Sequence, residues 1–189
     1  MSKATGPVYK VAFRRRRQSL TNYAKRLALV KAELPRMVVR KSRKGVLVQF
    51  VQFSPEGDNV LACAKSSQLS KFGWSPRRNT PSAYLTGMLA AKLASAKKVS
   101  DFVLDIGLAT PSKGAIVFAA AQGALDAGLK TSFDSKMIDA SRIKGEHIAK
   151  YAASASGTQF ASYSKQNFDP KKIAEAFAAA KQKITDGKW

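Results

Sequence analysis

The densest run of chemically committed side chains is Arg14-Arg15-Arg16-Arg17. Each guanidinium carries a planar fork of donors that matches the oxygens of a phosphate. Four in a row is too dense for an ordinary solvated helix face, so the run points to a polyanion. Lys10, Lys25, Arg26, Arg36, Arg40, Lys41 and Arg43 extend the positive charge around it, and Lys71, Arg77, Arg78 and Lys113 follow further along. Tyr9, Phe13, Tyr23, Phe72 and Trp74 lie among these cations, where a ring can stack on a base or sugar. The competing reading of each ring is core packing, with Tyr23 facing a helix interior and Phe72 plugging a sheet edge.

Asp105 is the acid whose setting invites catalysis. It closes the apolar stretch Phe102-Val103-Leu104-Asp105-Ile106, just before Gly107. Metal-dependent nucleases of ribonuclease-H-like fold place a carboxylate at such a strand end. That chemistry needs several converging carboxylates. The preceding strand candidates supply none, and Arg40 and Lys41 stand where a partner acid would be wanted. The expectation is therefore a structural Asp that bonds a loop amide or a helix N-terminus. A nuclease centred on Asp105 stands as the alternative, and further acids near the strand ends would reveal it. His147 and Cys63 are the only histidine and cysteine, so no zinc ligand set can be assembled from them. A Ser-His-Asp triad would have to use His147, in a basic helix expected to be peripheral. The stretch Gly107 to Gly114 lacks the Gly-Lys-Ser/Thr element of a Walker loop. No metal, no cofactor and no enzymatic activity are expected.

Composition agrees with a polyanion-binding role. The chain has 33 Lys and Arg against 12 Asp and Glu, a formal charge of +21. A compact fold with that charge repels itself unless a polyanion compensates. Residues 1–50 hold 14 of the basic residues and the single acid Glu33, whereas residues 101–150 hold six of each sign. The charge is thus concentrated in the N-terminal half, as a binding face or arm would be. A chromatin-compacting protein would not need the sizeable core that 45% apolar residues can build. No stretch approaches 18 uncharged apolar residues, and the N-terminus lacks an apolar leader, so neither a membrane partner nor secretion is expected.

The elements that must position these residues read as follows. Residues 1–13 lack a period and form an extended arm. Leu20, Tyr23, Ala24, Leu27, Ala28 and Val30 recur at helical spacing, in a basic helix ended by Pro35. Met37–Arg40, Val46–Phe53 and Val60–Ala64 read as strands of an antiparallel meander, with a turn at Pro55–Asn59. Residues 65–80 read as polar and irregular. Thr80 is the expected N-cap of a helix that starts with Pro81 and runs to about Lys98. Phe102–Ile106 is a buried strand, followed by a helix over about Ala115–Ala127 with Gly128 as its C-terminal stop. Helices are expected over Arg142–Ala153 and Pro170–Ile184, with a polar linker over Ser154–Asn167. The order predicts an α/β fold: a mixed sheet with an antiparallel meander, then helix-strand-helix, plus a basic N-terminal arm and a helical C-terminal appendage. The expected division is residues 1–35, 36–130 and 131–189.

Several long motifs occur in one order. They are Gly6 to Arg17, Thr21-Asn22-Tyr23-Ala24-Lys25-Arg26-Leu27, and Pro35 to Ser42. Then come Asn79-Thr80-Pro81-Ser82-Ala83-Tyr84-Leu85-Thr86-Gly87, Val103 to Leu108, Gly123 to Leu129, and Arg142-Ile143-Lys144-Gly145-Glu146-His147-Ile148-Ala149. Residues 6–152 thereby resemble the archaeal and eukaryotic 5S-rRNA-binding proteins of the large ribosomal subunit, the family of bacterial large-subunit protein eighteen and eukaryotic protein five. The chain departs from the family's usual pattern near Ala12 and in a shorter basic loop near Arg77.

The resemblance implies an α/β core docked on 5S rRNA in the central protuberance, with the arm running between 5S and 23S rRNA. It implies neighbouring ribosomal proteins as partners, including the other 5S-rRNA-binding protein, and a place on cytoplasmic ribosomes. The chain length favours an archaeal member, and the excess of Lys and Arg argues against an extreme halophile. The expected RNA-contacting residues are Tyr9, Lys10, Arg14, Arg15, Arg16, Arg17, Asn22, Tyr23, Lys25, Arg26, Arg36, Arg40, Lys41, Ser42, Arg43, Lys71, Trp74, Arg77, Arg78, Asn79, Thr80 and Lys113. Among them the Trp74–Asn79 loop is the expected site of finer recognition.

Overall fold

The computed structural model describes residues 6–155 and 158–187. Four strands form one mixed sheet: β1 (Arg36–Lys41), β2 (Val46–Gln52), β3 (Asn59–Lys65) and β4 (Val103–Asp105), in the order β3-β2-β1-β4. The first three make the expected antiparallel meander, and β4 pairs parallel to β1. The α/β expectation holds.

Alternation sets what each face of the sheet does. Met37, Val39, Val48, Phe50, Ala62 and Ala64 turn inward and are buried. They meet α3 (Thr80–Ser95), which is buried along most of its length. Behind it lies α4 (Ile116–Asp126). These two helices touch backbone to backbone. A Cβ on Gly87 would lie 2.0 Å from the carbonyl oxygen of Ala120, and one on Gly123 would lie 2.1 Å from that of Tyr84. Only glycine fits at either position.

The outward row of the sheet is Cys63, Gln49, Val38 and Asp105, aligned by the strand register. This face borders a groove lined by Val38, Gln49 and Asp105. The N-terminal segment lies over its edge, with two short helices: α1 (Arg14–Arg17) and α2 (Tyr23–Val30). The expected helix start near Leu20 moves to Tyr23, because the Asn22 side chain accepts from the Lys25 amide and caps the helix there. Phe13 and Tyr23 pack together with ring centroids 5.5 Å apart.

Residues 65–80 are irregular only in part, over residues 74–79. Ser66–Phe72 is a 3-10 helix whose Leu69 and Phe72 are buried, and it ends at Gly73 with φ +80°. The N-cap of α3 is Asn79 rather than Thr80: the Asn79 side chain accepts from Ser82 N at 3.0 Å, so Thr80 is already the first helical residue and is buried. α3 stops at Ser95, before the expected Lys98.

The helix expected over Arg142–Ala153 is two helices, α5 (Ala140–Lys144) and α6 (Glu146–Ser154), broken at Gly145 with φ +81°. A Cβ there would come within 3.1 Å of Pro81 and 3.3 Å of Ile173. The expected linker over Ser154–Asn167 contains α7 (Ala161–Ser164) among its described residues. The last helix, α8 (Ile173–Thr185), places Ile173, Phe177, Ala180 and Ile184 in the same core as the sheet and α3. Fully burying an Ile or Phe side chain stabilises by about 1.5–3 kcal/mol, so this helix is a substantial part of the core.

Candidate nucleic-acid interface

Charge on the outer face is organised as an alternating chain. Arg26 on α2 donates to both oxygens of Asp58, at 3.0 and 2.9 Å. Asp58, in the turn between β2 and β3, also accepts from Arg36 at 2.6 Å. The other arm of Arg36 donates to Asp105 Oδ2 at 3.0 Å, and Arg40 donates to Asp105 Oδ1 at 3.1 Å. Arg40 further donates to the Asp105 and Val39 carbonyls, and the Gly107 amide donates to Asp105 Oδ1 at 2.8 Å. Five charged groups thus tie α2 to the sheet. Asp105 has the structural role expected of it, bonding a loop amide. Its Oδ1 accepts from Arg40 and Gly107 and its Oδ2 from Arg36, so both oxygens face guanidinium groups. Asp58 was not singled out from sequence, and its place in a Pro-Glu-Gly-Asp turn gave no sign of it.

Three residues expected to contact RNA are enclosed in the structure. Arg36 is only 3% exposed and lies between two carboxylates, so it cannot reach a phosphate. Trp74 is corrected too. It is 1% exposed, donates its indole N–H to Ser82 at 2.8 Å, and stands edge-on to Phe168 and Phe177. A ring enclosed in this way has no free face for a base, and the core-packing reading of Trp74 is the right one. Thr80 is buried as well. The rest of the loop is held by the C-terminal segment: Arg77 lies over the Tyr163 ring at 5.2 Å, and Asn79 donates to the Tyr163 hydroxyl at 3.2 Å.

The remaining expected residues fall in three places. Tyr9, Lys10, Arg14, Arg15, Arg16, Arg17, Asn22, Tyr23 and Lys25 lie along the N-terminal segment, all exposed except Tyr23, which is half-buried. Among the described residues, none of these cations has an acidic partner; Arg15 donates to Thr21. Ser42 closes the β1–β2 hairpin through Gly45, which presents Lys41 and Arg43 to solvent. Arg78 and Lys113 are exposed near the start of α3 and α4, and Lys71 is exposed at the end of the 3-10 helix, away from the groove.

Between the N-terminal helices and the outer sheet face runs a groove of about 1100 Å³. Arg15, Lys25, Arg40 and Lys41 line it together with the apolar Val38, Val51 and Leu104. Such a surface can bind phosphates along its rim and apolar sugar or base surface along its floor. Among the described residues, no three His, Cys, Asp or Glu side chains gather as a metal site.

Residues 8–101 match the model of a family described as ribosomal large subunit proteins 60S L5 and 50S L18. The chain is 44% identical to large ribosomal subunit protein uL18 of Korarchaeum cryptofilum over 94% of both chains. It is 44% identical to that of Haloarcula marismortui over 97% of both. It is 52% identical to that of Halobacterium salinarum over 80% of this chain and 84% of the relative.

The chain belongs to the uL18 family. Members are structural ribosomal proteins, not enzymes, so the nuclease alternative falls. The uL18 assignment makes this chain a component of the large ribosomal subunit. The motif order Gly6 to Ala149 that suggested the family continues into similarity over most of the chain, the C-terminal helices included.

Proposed function

We propose that this uL18 chain binds 5S rRNA and helps attach it to 23S rRNA in the central protuberance, in contact with neighbouring ribosomal proteins that include the other 5S-rRNA-binding protein. The supporting observation is the groove: four adjacent arginines on α1, without acidic partners among the described residues, continue into Lys25, Arg40 and Lys41 along one face of the sheet. Phosphate contacts there fix the protein on the RNA, while shape and unpaired bases supply specificity, because side chains cannot enter the narrow A-form major groove. The N-terminal segment, docked through Arg26 and Asp58, reaches from the sheet toward a second RNA surface.

The deciding experiment is a set of binding isotherms on 5S rRNA and on an unrelated folded RNA of equal length. The full chain should prefer 5S rRNA, and a chain lacking residues 1–17 should bind it much more weakly while unfolding with the same cooperativity. Equal affinity for the two RNAs would overturn the 5S assignment.

A further inference from the structure

A second basic concavity lies beyond the groove, on the far side of Lys41. It is a cleft of about 380 Å³ at the end of β1, between the loop that follows β4 and the starts of α3 and α4, bordered by α5 and α6. Four elements each bring a cationic or titratable group to it: Lys41 from the end of β1, Arg78 from the loop before α3, Arg142 from α5 and His147 from α6. No Asp or Glu lines it, and Lys41, Arg78 and Arg142 form no ion pair among the described residues. Three cations held around one hollow without an anion repel one another, so the arrangement stores charge that a bound anion relieves.

The floor of the cleft is also polarised. Ile116 and Val117, in the first turn of the eleven-residue α4, line it. No side chain caps that helix, and neither amide has a hydrogen-bond partner among the described residues. The guanidinium of Arg142 stands over this turn, with Nη1 3.9 Å from the position a Cβ on Gly114 would take. Burial and the nearby Arg142 push the His147 imidazole below its ordinary pKa, so near neutral pH it stands beside the cations as an uncharged group able to donate one hydrogen bond.

We propose that this cleft is a phosphate site, in which Arg142, Lys41 and Arg78 hold one phosphate of an RNA strand against the start of α4 while His147 borders it. The site rests on the RNA-binding reading above and adds to it a contact separate from the arm, through Arg142 and His147. Lys41 belongs to both concavities, so a strand that leaves the groove past Lys41 enters the cleft next.

His147 is the only histidine, so its ring proton resonance reports on the cleft without assignment ambiguity. Inorganic phosphate should move that resonance saturably, and Arg142→Gln should raise the phosphate concentration required by at least about tenfold. Arg142 is exposed at the end of α5, and an unchanged cooperative unfolding transition checks that the variant is folded. Lys41→Gln is the second variant, with the same expected loss. A short oligonucleotide with an unphosphorylated 5′ end tests backbone phosphates, and its 5′-phosphorylated counterpart tests a terminal one. A saturable shift with either supports the site and names the source. A resonance that stays still, or moves equally in both variants, overturns the site. On 5S rRNA, Arg142→Gln should flatten the slope of log affinity against log salt by about 0.7–0.9, the contribution of one phosphate contact. Unchanged RNA binding in Arg142→Gln, with binding still lost on removal of residues 1–17, refutes the cleft alone. Indifference to both changes refutes the RNA-binding reading with it.

Discussion

Arg36 and Asp105 face each other across the parallel strands β1 and β4, with Nη1 3.0 Å from Oδ2, and both are more than nine-tenths buried. Asp58 holds the other side of the same guanidinium. Burying a charge is tolerable only while its partners are in place, and removing one partner of a buried pair costs about 3–5 kcal/mol. Asp105→Ala should destabilise the fold by that amount in chemical denaturation. Asp105→Asn should also lower the unfolding temperature, by less, because it keeps an acceptor for Arg36 or Gly107. Neither the wild type nor the variant should cleave RNA with added magnesium.

The arginines of α1 are exposed and belong to no core contact. Replacing all four with Gln should leave the unfolding transition unchanged. If two to four of them reach phosphates together, the salt slope of RNA binding should flatten by about 1.5–3.5. Affinity should fall on 5S rRNA and unrelated RNA alike, since phosphates carry no sequence information directly. A slope equal to that of the wild type would show the run to be solvated in the complex.

Trp74 should behave as core. Trp74→Ala should cost about 3–5 kcal/mol of stability, and its effect on RNA binding should disappear once the folded fraction is accounted for. Trp74→Phe keeps most of the apolar volume and loses the bond to Ser82, at about 1 kcal/mol. Normal stability in Trp74→Ala, with weakened RNA binding, would return the residue to the interface.

The glycine contact between α3 and α4 admits no side chain. Gly87→Ala or Gly123→Ala forces the helices apart, because the new methyl would overlap a backbone carbonyl that cannot rotate away. Overpacking typically costs about 1–3 kcal/mol, and both variants should fall at or above the top of that range. Thermal unfolding checks this directly.

His147 gives the stability a pH signature. Its native pKa is depressed below 6.5 by burial first and Arg142 second, so the unfolded chain binds the proton more readily. The contribution of the neutral imidazole is complete above pH 6.5 and is lost as pH falls through 6.5 toward the native value. Lys41, Arg78 and Arg142 share the cleft with it, and Glu146 is its neighbour in sequence. His147→Gln should therefore lose less stability than the wild type between pH 7.5 and 5.5, as read by denaturant midpoints.

The meander, the fourth strand and the two central helices were legible because their apolar residues alternate or recur with clear periods. The 3-10 helix at Ser66–Phe72 was not: three serines, a glutamine and a lysine hide two buried apolar residues, and only the tertiary partners Phe168 and Phe177 reveal why Trp74 follows them. The shift of the α3 cap from Thr80 to Asn79 is a choice between two adjacent good caps, which local chemistry alone does not resolve. Among the site residues, the exposed arginines of α1 could be read from density of charge. The enclosure of Arg36 could not, because it depends on Asp58 and Asp105 arriving from two other segments. Arg142 and His147 carried no charge-run signal and share a cleft with Lys41 through the packing of α5 against α3 and of α6 against α5.

The pairing of Arg36 with Asp105 also sets an order in time. The two residues are 69 positions apart, and β4 cannot join β1 until the whole meander and α3 have been made. A chain synthesised from its N-terminus therefore presents Arg14–Arg17, Arg36 and Arg40 to the cell as a bare polycation before the acid that internalises Arg36 exists. Ile173, Phe177, Ala180 and Ile184 reach the core later still. Domains whose contacts are far apart in sequence close slowly. The nascent protein thus carries its cations in the open while its apolar interior is still uncovered, and that interval closes only when α8 reaches the core.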